Sequence, residues 1–300
     1  MMDKRSDAVP LRVGVVIATL GRPDECRDIV RHLLDQSVAP SRIVISSVSQ
    51  ADVPAGLPAE VDVVLGSKGL CAQRNRGVHA VRDDCDVIVF YDDDFIPSAR
   101  AIEGIEQVFA SDQSIVGATG LVLLDGVGRG GVSLVDAEAA VLSYDQRSGA
   151  SAVLQRDIVT AYGCNMAFRV SAMQGVEFDE TLPLYGWQED VDYAGQIART
   201  GRVVETNAFA GVHRGVSNGR TPGGKLGFSQ VVNPVYLAKK GTMRWSHSLR
   251  IIFGNLIANH VRMFFPEAHV DRVGRARGNW LGLLHLISGR LDPREMLEIS

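Results

Sequence analysis

The sequence predicts an α/β chain, built on a twisted, mostly parallel sheet flanked by helices and extended by a helical C-terminal appendage. Three observations point there. Near-continuous apolar runs, such as LRVGVVIATL at 11–20 and DVIVFY at 86–91, have the pattern of parallel strands buried on both faces. These runs alternate with amphipathic helical stretches, the order that builds a parallel sheet with ligand loops at the strands' C-terminal ends. With 300 residues, 46% of them hydrophobic and 22% charged, the chain can also bury a full core.

Residues 1–10 are polar and read as a disordered tail, without the apolar stretch that a secretory signal requires. The first strand lies in 11–20. Pro23 suits a first helical turn, and Cys26, Ile29, Val30, Leu33 and Leu34 recur at helical spacing, so one face of the next element packs on the sheet. Strands are expected at 42–48, 61–65, 86–91 and 115–124, with helices near 70–81 and 97–110. From 125 to about 151 the chain is rich in Gly, Ser and acids, which reads as a long excursion with little core of its own. Periodicity returns at 160–169 and again at 188–200, where Val191, Ala194 and Ala198 line one helical face before Gly201. A catalytic domain over 11–215, a mobile Gly-rich loop over 216–232 and a helical region over 233–300 follow from this division.

Charge and cysteine usage narrow the function. The 31 basic and 35 acidic residues leave a net charge of -4, which gives no global affinity for nucleic acid. Cys26, Cys71, Cys85 and Cys164 are scattered without a C-x-x-C pair, so reduced cytoplasmic thiols are expected rather than a disulfide framework or zinc knuckle. The charge-free stretch 251–261 is far shorter than the roughly 20 apolar residues that span a bilayer.

The sharpest chemical signal is the strand that ends in Asp92, Asp93 and Asp94. Adjacent carboxylates repel one another, and burying them unpaired costs several kcal/mol each, so Mg²⁺ or Mn²⁺ is the natural counter-charge. An acidic turn capping the next helix would leave the same trace. A second cluster, Glu189, Asp190 and Asp192, opens an amphipathic helix and by itself reads as dipole complementation. Together the two clusters divide labour: one holds a metal, the other supplies a carboxylate base. Gly126, Gly128 and Gly131 fit G-x-G-x-x-G with Asp145 downstream, but 132–138 makes a poor opening for a phosphate-binding helix, and a flexible loop is expected.

In order, VVIATLGRP, GLCAQRNRGV, VIVFYDDDF, GCNMAFR, GWQEDVD and a later His213 resemble the family 2 glycosyltransferases of GT-A fold over about residues 11–215. The resemblance implies an inverting, metal-dependent transferase that passes one sugar from a nucleotide-sugar donor to a glycan or lipid-linked glycan, in exopolysaccharide or cell-envelope synthesis. It implies nucleotide-sugar contacts at Thr19, Arg22, Arg74, Asn75, Asp92, Asp93 and Asn165, with Gln73 beside them. Asp94, Asp92 and His213 would hold Mn²⁺ or Mg²⁺, and Asp190 would be the base, with Glu189 its acidic neighbour. Arg214, Arg220 and Lys225 are either diphosphate clamps or solvated charges.

Two departures stand out. Many members carry an acid directly after the second strand to contact the base, whereas this chain reads Ser46-Ser47-Val48-Ser49. The Q-x-x-R-W motif of processive members loses its Gln at Gly241-Thr242-Met243-Arg244-Trp245, which points to addition of a single sugar. A sugar nucleotidyltransferase and a catalytically silent polysaccharide-binding or scaffold domain stay open as alternatives. In the appendage, Leu249, Ile252, Phe253, Leu256, Ile257, His260 and Phe264 approximate one helical face flanked by Arg244, Arg250 and Arg262, with Arg272, Arg275 and Arg277 beyond. Such a face either packs on the core or lies in the plane of an anionic membrane, peripheral on its inner side.

Overall fold

The computed structural model describes residues 10–148, 153–216, 222–265, 267 and 270–299, so the tail expected at 1–10 lies outside the described residues except for Pro10. Strands β1 (Val13–Ala18), β2 (Arg42–Ser47), β3 (Val61–Leu65) and β4 (Val87–Asp92) form a parallel half-sheet in the order β3-β2-β1-β4. The apolar run of β1 is buried on both sides because its residues serve two cores. Val13, Val15 and Ile17 pack with Cys26, Ile29 and Leu33 of α1 (Pro23–Leu34), while Val16 packs with Cys71, Val78 and Val81 of α2 (Leu70–Val81). Since β2 and β4 leave β1 on opposite sides, the loops after β1 and β4 face each other at a switch point, where α/β sheets bind ligands.

Beyond β4 the sheet becomes mixed. Strand β5 (Phe95–Pro97) precedes α3 (Ala101–Ser111); β6 (Ile115–Asp125), β7 (Gln155–Ile158), β8 (Asn165–Arg169) and β9 (Arg202–His213) complete nine strands among the described residues. β8 runs antiparallel between β4 and β6, and β9 joins β6, β7 and β5. The excursion expected at 125–151 instead contains α4 (Leu134–Ser148), whose Ala137 and Val141 form a small core with Ile96 and Val212. After β8, α5 (Glu189–Ile197) forms where an amphipathic helix was expected.

The loop expected over 216–232 is corrected as well. Residues 217–221 lie outside the described residues, but from Gly223 the chain is helical: α6 (Gly223–Lys240), then α7 (Trp245–Arg262) and α8 (Arg272–Ile287). The glycines that read as turn signals serve close helix packing. A Cβ on Gly227 would lie 2.1 Å from the Arg275 carbonyl oxygen, and one on Gly278 would lie 2.0 Å from that of Gly224. Gly227→Ala is therefore expected to destabilise the protein by about 1–3 kcal/mol through overpacking, seen as a lowered Tm. An unchanged Tm would mean that α6 and α8 part freely.

Candidate active site

Ala18 pairs with Asp92 in the sheet register, which sets Thr19 beside the three acids that follow β4. The chain then turns into β5, and Phe95 pairs antiparallel with His213 at the end of β9. Two distant segments thus bring Asp92, Asp94 and His213 together. One ligand atom from each falls within 4.8 Å of the others. His213 Nε2 stands 3.6 Å from Asp92 Oδ2 and 3.4 Å from Asp94 Oδ1. The Val216 N–H donates to Asp94 Oδ2 at 2.7 Å, whereas the buried Oδ1 accepts no hydrogen bond among the described residues. An orphaned carboxylate oxygen facing a second carboxylate and an imidazole fits a hard divalent cation.

The surroundings fix this group. Behind His213, Nδ1 lies 3.3 Å from Asp125 Oδ1, and the Tyr162 hydroxyl donates to the other Asp125 oxygen at 2.8 Å. A carboxylate behind the ring leaves Nε2 aimed at the acids. Burial pushes Asp125 up, but His213, the Val127 N–H and Tyr162 pull it down to about 2. Burial likewise pushes Asp94 up, and His213, Arg22 and the Val216 N–H outweigh it and hold it below the ordinary range.

Asp93 turns the other way. Thr19 Oγ1 donates to one of its oxygens at 2.7 Å and Arg22 to the other at 2.9 Å, while burial pushes its carboxyl up to about 7. Asp93 thereby latches the loop after β1 and lines the cleft beside Asp92. Arg22 also donates to the Val216 carbonyl at 3.1 Å, tying that loop to the chain after β9.

The two acidic clusters meet through Arg74. Its buried guanidinium donates to Glu189 Oε1, to Asp92 Oδ1 at 3.0 Å and to the Gly163 carbonyl at 2.9 Å, above the rings of Phe90 and Phe178. Gly163 in turn donates its N–H to Asp190 Oδ2 at 2.9 Å, and Val191 N–H reaches Asp190 Oδ1 at 2.8 Å. Burial pushes Glu189 up against the pull of Arg74, and pushes Asp190 up against these two backbone bonds. Asp192, the third acid of the cluster, is structural: Lys240 Nζ reaches it at 2.7 Å and Asp179 at 2.6 Å, and Thr242 Oγ1 donates to it at 2.6 Å. The start of α5 is thereby bolted to the end of α6.

Thr19, Arg22, Gln73, Asp92 and Tyr185 border a cleft along the ends of β1 and β4. A second cavity shares Arg22, Asp92 and Tyr185 with this cleft and is also bordered by Asp94, His213, Leu226, Arg272 and Arg275. Tyr185 sits in a loop where Leu184 (φ 57°) and Gln188 (φ 73°), both non-glycine, occupy the left-handed region. Such strain persists only where the surroundings enforce it.

Several implied residues lie elsewhere. Asn75 is one position past Arg74 and points around the helix, where it exchanges hydrogen bonds with the backbone of Phe178 and reaches Glu180. Asn165 is fully buried at the start of β8 and borders neither cleft. Arg214 pairs with Asp28 of α1 at 3.0 Å, Lys225 reaches the Leu297 carbonyl at 3.3 Å, and neither borders the two cavities. Arg220 lies outside the described residues. The glycines of the apparent dinucleotide fingerprint form a turn against β9, where a Cβ on Gly126 would lie 2.0 Å from the Arg214 carbonyl oxygen. Asp125, Tyr162 and Tyr185 were not anticipated. Only the first had a signal, as an acid closing an apolar strand.

Residues 10–206 match the family described as Glycosyltransferase like family 2. The chain belongs to this family. It is a glycosyltransferase, and the matched range holds both acidic clusters and Arg74 but stops short of His213 and α6–α8. Among solved structures, residues 1–349 of S. aureus TarS align with a TM-score of 0.52 at 10% identity, over 84% of this chain and 73% of that one. A longer S. aureus TarS structure aligns at 0.46 and 12% identity, over 85% of this chain and 44% of that one. The first likeness shows the GT-A fold and nothing finer. No curated protein matches the sequence.

Proposed function

We propose that the protein is an inverting, metal-dependent, nonprocessive glycosyltransferase that moves one sugar from a nucleotide-sugar donor to a glycan or lipid-linked glycan. Its setting would be exopolysaccharide or cell-envelope synthesis in the cytoplasm, where four buried, unpaired cysteines stay reduced. The single observation that carries this proposal is Arg74, which joins the group around Asp92 to the base candidate's neighbour Glu189 in one buried network.

Asp190 takes the proton from the acceptor hydroxyl as that oxygen bonds to the anomeric carbon and the bond to the diphosphate oxygen breaks, inverting configuration. Two backbone N–H groups orient its carboxylate, and burial strengthens it as a base. Glu189, paired with Arg74, holds the first turn of α5 in register with β4. Thr19, Arg22 and Asp92 border the side of the cleft that would take the nucleotide. Asp92, Asp94 and His213 would hold Mn²⁺ or Mg²⁺, which would supply positive charge to neutralise the diphosphate leaving group.

A panel of nucleoside diphosphates scored by thermal shift tests the donor site, because a bound ligand raises apparent stability by mass action. The expected result is a Tm increase with one nucleotide that requires Mn²⁺ and is lost in Asp94→Asn. Equal shifts with and without the metal would overturn the metal requirement, and release of pyrophosphate from a sugar phosphate and a nucleoside triphosphate would identify a nucleotidyltransferase instead.

A further inference from the structure

The outer faces of α7 and α8 carry large apolar side chains in water: Phe253, Ile257 and Val261 on the first helix, Trp280, Leu284 and Ile287 on the second, from 54% to 83% exposed. Each set recurs at three- or four-residue spacing and so forms one stripe. The stripes join, because the His260 and Trp280 rings meet edge to face at 5.8 Å and His260 neighbours Ile257 on the helix surface. The inner faces are already used. Asn259 donates to Gln230 and Asn279, and Asn279 donates to the Gly227 carbonyl, sealing α7 and α8 against α6.

Charge selects the occupant. The exposed arginines of α7 and α8 are Arg250, Arg262 and Arg277, while Arg272 and Arg275 line the cavity beside Asp94, and neither helix contains an Asp or Glu, in a chain whose net charge is -4. Acids of the adjoining segments are engaged: Glu267 with Arg262 and Arg272, Asp271 with the Gly274 N–H, Glu295 with His285. Bulky apolar residues rimmed by cations suit an anionic lipid headgroup layer. A second copy is the poorer occupant, since an isologous pair would set the arginine rim against itself. No helix among the described residues is long and apolar enough to cross a membrane, so the contact would be in-plane.

We propose that this face docks on an anionic lipid bilayer. The first turn of α8 also borders the cavity that holds Asp94 and His213, so docking would present that cavity to an acceptor carried on lipid. That last step rests on the transferase function; the membrane contact does not.

Co-sedimentation with phosphatidylcholine vesicles, with and without phosphatidylglycerol, tests it. Binding is expected only with phosphatidylglycerol and should weaken as salt rises. The Phe253→Glu/Trp280→Glu variant should lose binding at every salt concentration, and Arg250→Ala/Arg277→Ala should weaken it on the order of tenfold or more. Metal-dependent hydrolysis of the soluble donor should stay at the wild-type level in both variants, showing that they fold. Wild-type protein that stays in the supernatant, or a dimer in light scattering that the Glu variant dissociates while vesicle binding is absent, would overturn the proposal. Vesicle binding without donor hydrolysis in the wild type would sustain the membrane contact and defeat the transferase function alone.

Discussion

Asp190→Asn is expected to lower kcat by about 10²–10⁴-fold, the usual contribution of a positioned general base, while leaving nucleoside diphosphate binding unchanged. The amide keeps the side chain's shape and still accepts from the Gly163 or Val191 N–H, but it cannot take a proton. As the proposed base, the same group should set the acid limb of the pH profile. Because burial raises the Asp190 carboxyl, activity should fall as pH drops through a value above the ordinary carboxylate range, where the base becomes protonated. Single-turnover transfer and isothermal titration with the nucleotide separate the two effects. Transfer at the wild-type rate would assign the proton to another group.

Arg74→Met is expected to have the largest effect on stability. It leaves Glu189 and the inner oxygen of Asp92 without their cation, and removing one partner of a buried pair costs about 3–5 kcal/mol. Chemical denaturation measures the loss. The double variant Arg74→Met/Glu189→Met should recover much of it, because an uncompensated buried charge is removed, yet donor turnover should not return. A single variant within 1 kcal/mol of the wild type would mean that water replaces the guanidinium.

The sequence disclosed the parallel half of the sheet because strands buried on both faces have few polar residues to blur them, as in VGVVIA and VIVFYD. The acids were equally visible, since β4 and α5 place them at element ends in short linear stretches. What stayed hidden depends on tertiary contact. β9 shifts register against β6 three times, which breaks the alternation that marks a strand. The N-terminal turns of α6 looked like a loop because glycine's cost in a helix is offset there by backbone approach to α8, which no local pattern reveals. Asn75 sits in the right motif beside Arg74, yet adjacent residues on a helix point in different directions, and only the fold decides that it turns toward Phe178.

The pairing of Phe95 with His213 has a consequence for how the enzyme is born. The carboxylates are synthesised well before the imidazole, and closing so long a loop costs entropy, so the Asp92–Asp94–His213 group is expected to assemble late in folding. A nascent chain arrested on the ribosome before His213 emerges would carry a formed β1–β4 scaffold but no complete cation site. Manganese added during refolding should accordingly stabilise the end point without hastening the early collapse.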